Sequence, residues 1–296
     1  MAIPKAQLDT WSHQGSVQQS SSTYQTIHNA LTAADSAYAE KSFDVFLQGS
    51  YGNNTNIYAE SDVDVVIRLD STFRFDLVLL NEAERQAYRN YVEPPTYSIE
   101  QFKIDVVAQL RKKFGTESVV PGSKAVKIKP VAGRRSADIV ICQEYRSFKS
   151  FTGQRTDDYV SGIGFPSASG EIINYPKQHS ENLTQQHQAS GNMLKPMVRI
   201  LKNMRSRMVE TGMLRSGGAP SYYVECLFYN VPKDQYVSTS YGDTFCNGIN
   251  WLLKADKSKL VCANWQYSLL GNSNVQWNEA DFDAFLTALC KLWKEW

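Results

Sequence analysis

The stretch "FLQGSYGNNTNIYAESDVDVVIRLD", residues 46–70, decides how the rest of the sequence is read. Successive strand side chains alternate, so Val63, Val65, Ile67 and Leu69 fall on one face and Asp62, Asp64, Val66 and Arg68 on the other. The two carboxylates point the same way, with α-carbons ~7 Å apart. Even one unpaired carboxylate is costly to remove from water, so two within one side-chain repeat call for cations or a solvent-filled cleft. The spacing suits a pair of divalent ions, which in two-metal phosphoryl transfer sit ~3.5 to 4 Å apart and need further carboxylates. Asp138 heads the apolar run "DIVIC" and completes the set if that strand neighbours residues 62–69. Gly49 and Ser50 close the preceding strand with backbone N–H groups and a hydroxyl suited to phosphate oxygens, and Gly49 has no side chain to block approach. Asp-x-Asp by itself is common as a strand cap or solvated edge; the combination is what points to catalysis.

Composition narrows the setting. The 296 residues hold 31 basic and 30 acidic side chains, a net charge of +1, so no global field recruits long nucleic acid. Apolar content of 42% and aromatic content of 12% are those of a globular protein with a real core, large enough for two lobes. Cys142, Cys226, Cys246, Cys262 and Cys290 are far apart and make no zinc-ligand pattern, which reads as reduced thiols in a cytoplasmic protein. His13, His28, His179 and His187 show no metal spacing either. No segment approaches the ~20 apolar residues a membrane span needs.

Periodicity predicts a long N-terminal helix over 17–38 and a strand over 43–47 ending at Gly49. It predicts helices over 81–92 and 98–115, the second with Ser98 and Gln101 in capping-box spacing and Gly115 as its stop. Short strands are expected around 124–129 and 137–142. The Gly/Ser/Pro-rich segment 161–176 is expected to be a lobe boundary or a lid. Beyond it, Leu194, Met197, Leu201, Met204 and Met208 form a helical stripe, and Phe282, Phe285, Leu289, Trp293 and Trp296 form another. The last third is therefore mainly helical.

Gly-Ser, eleven intervening residues, Asp-Val-Asp-Val and a later strand-borne aspartate resemble the DNA polymerase β-like nucleotidyltransferases. The segments "WSHQGS", "LQGSYGNNTNI", "SDVDVVIRL", "ADIVICQEYR", "INYPKQH", "KPMVRILKNMR", "APSYYVECLFYNVP" and "DTFCNGINWLLKAD" extend the likeness over essentially the whole chain. In this order they resemble the bacterial cGAS/DncV-like nucleotidyltransferases, clade E. The resemblance implies an α+β, bilobal fold: a mixed-sheet catalytic lobe over 1–175 and a helical lobe over 176–296, joined by a long N-terminal helix. It also implies two nucleoside triphosphates bound between the lobes and joined with loss of pyrophosphate. The linear product would then be cyclised into a dinucleotide that signals phage infection. Asp62 and Asp64 would hold two Mg²⁺ ions, with Mn²⁺ as a substitute, and Asp138 the ion that activates the attacking ribose hydroxyl. The protein would act as a cytoplasmic monomer without a DNA activator, since it lacks the zinc-binding insertion of the animal DNA sensor.

On the phosphate side, Lys195, Arg199 and Lys202 line one helix face, a basic stripe that is equally readable as a solvated surface. The resemblance assigns donor triphosphate binding to Lys202 and Ser221 and base stacking to Tyr222, while Tyr223 reads as the more buried of the pair. It ties Asn174, in "INYPKQH", to pyrimidine use, although local sequence alone makes Asn174 the start of a turn before Pro176. Clade members that make cyclic dipyrimidines carry Arg or Gln, any residue, then Trp; Ala263-Asn264-Trp265 keeps only the aromatic. These residues imply a uridine-containing product from UTP, either cyclic di-UMP or, with ATP as second substrate, cyclic UMP-AMP. A purine-using cyclic oligonucleotide synthase is the alternative within the family. A template-free RNA nucleotidyltransferase would need a basic track that the sequence lacks, and a catalytically dead nucleotide-binding module would not need all three aspartates.

Overall fold

A computed structural model describes the chain except Met1, Ser16 and residues 59–61, 154–156 and 168–169. Ser16 of "WSHQGS", Ser61 of "SDVDVVIRL" and positions 168–169 of the expected lid therefore lie outside the described residues. The N-terminal half runs α1 (Lys5–Ser12), α2 (Val17–Leu31), β1 (Phe43–Leu47), α3 (Gly49–Gly52), β2 (Val63–Asp76), α4 (Glu82–Tyr91) and α5 (Ile99–Phe114). Strands β3 (Val119–Pro121), β4 (Val126–Ile128), β5 (Ala137–Phe148), β6 (Tyr159–Ser167) and β7 (Gly170–Asn174) follow. Helices α6 (Pro176–Ala189), α7 (Leu194–Glu210), α8 (Ser221–Tyr229), α9 (Tyr241–Leu252) and α10 (Glu279–Glu295) complete the chain.

Two compact units result, a sheet unit of Gln18–Gln48 with Ser61–Pro176 and a helical unit of Met1–Val17, Gly49–Glu60 and Lys177–Trp296. The last crossing between them falls after Pro176. Residues 1–17 and 49–60, however, fold with the C-terminal helices instead of with the sheet.

In the sheet unit the strand order is β1-β2-β5-β4-β3, with β6 on the distal half of β5 and β7 on β6. Strands β2 and β5 run parallel, so their N-terminal ends lie side by side; the other pairs are antiparallel. One face of the sheet is sealed. Val63, Val65, Ile67 and Leu69 are fully buried there, and α5 contributes Phe102, Val106 and Leu110. The other face carries a smaller apolar cluster of Val66, Val140, Cys142, Ile163 and Phe165. In the helical unit both predicted stripes are core: Leu194, Met197, Leu201, Met204 and Met208 of α7 meet Phe282, Phe285 and Leu289 of α10. All five cysteines are free thiols. No helix of the described residues is long and apolar enough to cross a membrane.

Several elements differ from the periodicity reading. Helix α2 stops at Leu31 instead of Tyr38 because its last carbonyls find other donors. The Tyr38 hydroxyl donates to Leu31 O (2.8 Å) and Gln109 Nε2 to Ala30 O (3.3 Å), which replaces the next helical turn. At α5, Ser98 Oγ accepts from the Gln101 N–H, but the Gln101 side chain turns to Asp105 (2.9 Å), so only half of the capping box forms. The Gly/Ser/Pro-rich segment 161–176 adds the antiparallel pair β6–β7 to the sheet, and the sheet unit ends at Pro176. Gly162 permits this pairing: a Cβ there would meet Asn174 O at 2.7 Å and the Tyr175 ring at 2.9 Å. Gly162→Ala should therefore destabilise the protein by about 1–3 kcal/mol in urea unfolding, the range for overpacking a filled site.

Candidate active site

The parallel register sets Asp64 directly beside Asp138, and the antiparallel register sets Lys127 of β4 beside Asp138 on its other flank. Asp64, Asp138 and Lys127 therefore form one row across three strands, on the face away from the buried side of the sheet. Asp62 precedes β2 by one residue and turns its carboxylate to Lys127, with Nζ to Oδ2 at 3.3 Å. The same ammonium is 4.0 Å from Asp138 Oδ1. Burial, and to a lesser degree the charge of Asp62, raises the Asp138 pKa, which Lys127 partly offsets; the charges of Asp138 and Asp62 raise that of Lys127 in turn. Sequence reasoning passed over Lys127; its only signal was a charged residue flanked by apolar ones in "AVKIK". No cluster of three or more His, Cys, Asp or Glu side chains among the described residues is already closed around an ion-sized point.

Asn174 lies opposite Ile163, whose side chain packs with Val66 and Val140, so Asn174 shares the carboxylate face of the sheet. Its Oδ1 accepts the Tyr175 N–H at 2.8 Å, which leaves the amide nitrogen as its donor.

The helical unit is organised around one buried carboxylate. Glu225 on α8 accepts Lys202 Nζ (3.0 Å) and Thr55 Oγ1 (2.5 Å) on Oε1, and Asn53 Nδ2 and His179 Nε2 (both 2.8 Å) on Oε2. An ionised carboxylate only accepts, so His179 carries its proton on Nε2. Burial alone would raise the pKa of Glu225, but Lys202 and the other donors outweigh it and hold the group well below the carboxylate range. The Asn-rich loop is fixed on its other side too: Gln14 Nε2 donates to Asn56 Oδ1 (2.7 Å) and the Gly15 N–H to Asn56 O (3.1 Å). Arg199 donates to the carbonyls of Ser12 and Asn54. These bonds are why residues 1–17 and 49–60 belong to this unit. They also hold Gly49 and Ser50, which form the first turn of α3 with Gly49 at φ +64°, a conformation natural to glycine.

Lys202 is completely buried, with its ammonium on Glu225 Oε1 (3.0 Å) and Thr55 Oγ1 (3.3 Å). Arg199 pins backbone carbonyls and Lys195 is buried with Nζ on Thr184 Oγ1 (3.0 Å), so the basic stripe is no open surface. The cation that meets Ser221 is Arg205, with Nη1 to Oγ at 2.9 Å. Tyr222, expected to offer its ring to a base, is stacked on His179 at 4.7 Å, and its hydroxyl accepts from Asn264 Nδ2 (3.0 Å). Both tyrosines are half-buried; burial pushes the pKa of Tyr222 far above the usual tyrosine range and that of Tyr223 to about 12. Trp265 is 65% exposed, holds φ +60° and donates its indole N–H to the Tyr229 hydroxyl. An exposed Trp on a strained turn is available for stacking.

With this arrangement on the page, the relatives of the chain fall into one class. The model of the cGAS/DncV-like nucleotidyltransferase C-terminal helical domain matches residues 181–294. The cyclic nucleotide synthase CdnE01 of Staphylococcus haemolyticus is 36% identical over 302 aligned positions that span both chains completely. The cyclic UMP-AMP synthase of Rhodothermus marinus is 38% identical, over all of this chain and 99% of that one. The structure of Rhodothermus marinus CdnE c-UMP-AMP synthase with Apcpp and Upnpp superposes with a TM-score of 0.89 at 36% identity, over 99% of this chain and 97% of that one. The chain thus belongs to the cGAS/DncV-like nucleotidyltransferases and, within them, to the CdnE cyclic nucleotide synthases.

Removing one member of the buried pair strands the other. Lys202→Met should lower the unfolding free energy by about 3–5 kcal/mol, and Lys202→Met with Glu225→Leu should recover most of that loss. The folded pKa of Glu225 lies below its unfolded value, so its stabilisation is present above the ordinary glutamate pKa and fades as pH falls towards the folded one. Thermal scans from about pH 5 to about pH 3, either side of the ordinary glutamate pKa, should show a shallower acid loss for Glu225→Gln than for the wild type.

Proposed function

We propose that this enzyme makes a uridine-containing cyclic dinucleotide, cyclic di-UMP or cyclic UMP-AMP, from nucleoside triphosphates as an anti-phage second messenger. The observation that carries the chemistry is the row of Asp64 and Asp138 in adjacent parallel strands, with Asp62 one turn of the pleat away. All three donors are carboxylate oxygens, which suit a hard ion such as Mg²⁺ or Mn²⁺. Lys127 lying against two of them indicates that a positive charge is accommodated there. Asp62 and Asp64 would hold two ions and Asp138 one of them. Bound there, the ions would make the attacking ribose hydroxyl more acidic and offset charge on the phosphate oxygens.

In each of two steps a ribose hydroxyl attacks the α-phosphorus of a triphosphate and pyrophosphate leaves. The first step joins the nucleotides and the second closes the ring. Ser221 at the start of α8, with Arg205 beside it, is the donor set for the triphosphate, and a guanidinium suits phosphate in paired hydrogen bonds. Gly49 and Ser50 offer a second phosphate contact.

Asn174 supports uridine. With its oxygen engaged by Tyr175, it presents an N–H donor, which matches O4 of uracil and meets the amino groups of cytosine and adenine donor to donor. Trp265 would stack on a base. The enzyme is proposed to act in the cytoplasm as a monomer, and double-stranded DNA of any length should leave its rate unchanged.

Incubation with the four ribonucleoside triphosphates and Mg²⁺, resolved by mass, should yield a cyclic dinucleotide containing UMP. Asp62→Ala with Asp64→Ala should abolish it while circular dichroism remains that of the wild type. Asn174→Ser should shift incorporation of labelled UTP towards purines; a purine-only wild-type product, or unaltered base choice in the variant, overturns the role given to Asn174.

A further inference from the structure

The carboxylate row includes a cation of the protein's own. Lys127 is the middle residue of the three-residue strand β4, and its backbone is held opposite Asp138 by the register. The neighbours Val126 and Ile128 are buried in the sealed face, so the strand cannot slide without exposing them. Lys127 is thereby committed to the carboxylate face. Its ammonium spans the Asp62 oxygen at 3.3 Å and the Asp138 oxygen at 4.0 Å. The Lys127, Asp62 and Asp138 side chains retain 48%, 41% and 32% exposure, so these contacts are weak and the lysine stem is free to swing into water.

We propose that Lys127 is a positioning residue that acts as an internal substitute for a divalent ion. Whenever no ion is bound, its ammonium bridges Asp62 and Asp138 and offsets their mutual repulsion. An incoming ion has to displace it. The lysine therefore lowers the affinity of the protein alone for free Mg²⁺ and favours ions that arrive already bound to a nucleoside triphosphate, whose phosphates can receive the displaced ammonium. The proposal rests on the metal-binding role given above to Asp62, Asp64 and Asp138.

The test is a Mn²⁺ titration followed by electron paramagnetic resonance, without nucleotide, on the wild type, Lys127→Met, Lys127→Gln and Lys127→Arg. Removing the ammonium should tighten Mn²⁺ binding by about 2-fold to about 30-fold, the combined range of two exposed ion pairs. Lys127→Arg, which keeps the charge, should stay near the wild type. In metal-free buffer the two neutral variants should melt below the wild type and gain more from added Mn²⁺. The glutamine variant carries the test if the methionine variant does not fold. Wild-type binding with unchanged or weaker affinity in the neutral variants overturns the proposal. Wild-type binding that persists in Asp62→Asn with Asp64→Asn instead overturns the metal-site reading beneath it.

Discussion

A carboxylate taken out of bulk water must be compensated, and both units of this protein are organised by that constraint. In the helical unit Glu225 is compensated completely, by one ammonium and three further donors drawn from α6, α7 and the loop after α3. In the sheet unit Asp62 and Asp138 are compensated only in part, by one half-exposed lysine. The Glu225 carboxylate is enclosed with its partners, whereas the side chains of Asp62 and Asp138 remain partly exposed.

The Glu225 network explains a segment that otherwise looks featureless. Asn53, Thr55 and Asn56 are polar residues in a loop, yet all three are buried, because each is paired across the helical unit. The loop carries Gly49 and Ser50 at its start, so the position of that turn depends on an acid 170 or more residues away in the chain. Burial of a charge-paired network is weak evidence for stability, since desolvation offsets much of the attraction. Here the loop so held follows directly on the short turn at Gly49 and Ser50.

The carboxylate row follows from topology. Had β2 and β5 been antiparallel, Asp64 and Asp138, each near the start of its strand, would sit at opposite ends of the pair. The parallel pairing brings the two starts together. The connection between β2 and β5 delivers Lys127 to the row, since β4 returns antiparallel to β5 on its far side.

Local sequence by itself determined the alternation that separates Asp62 and Asp64 from the buried valines, the caps at Ser98 and Gly115, and the apolar stripes of α7 and α10. These depend on side-chain periods and backbone preferences within a few residues, and such preferences act before any distant contact forms. The family likeness was legible too, because its motifs are contiguous. What only the tertiary structure decided are the roles of charged residues. Lys202 and Arg199 read in the sequence as part of a basic helix face, but Glu225, Ser12 and Asn54 turn them inward. Lys127 reads as an ordinary strand lysine until Asp138 is its cross-strand neighbour. Helix α2 stops where Tyr38 and Gln109 reach its last carbonyls, which no period in residues 17–38 contains. A charge or a polar cap takes its meaning from its partner, and partners distant in the chain are chosen by the fold.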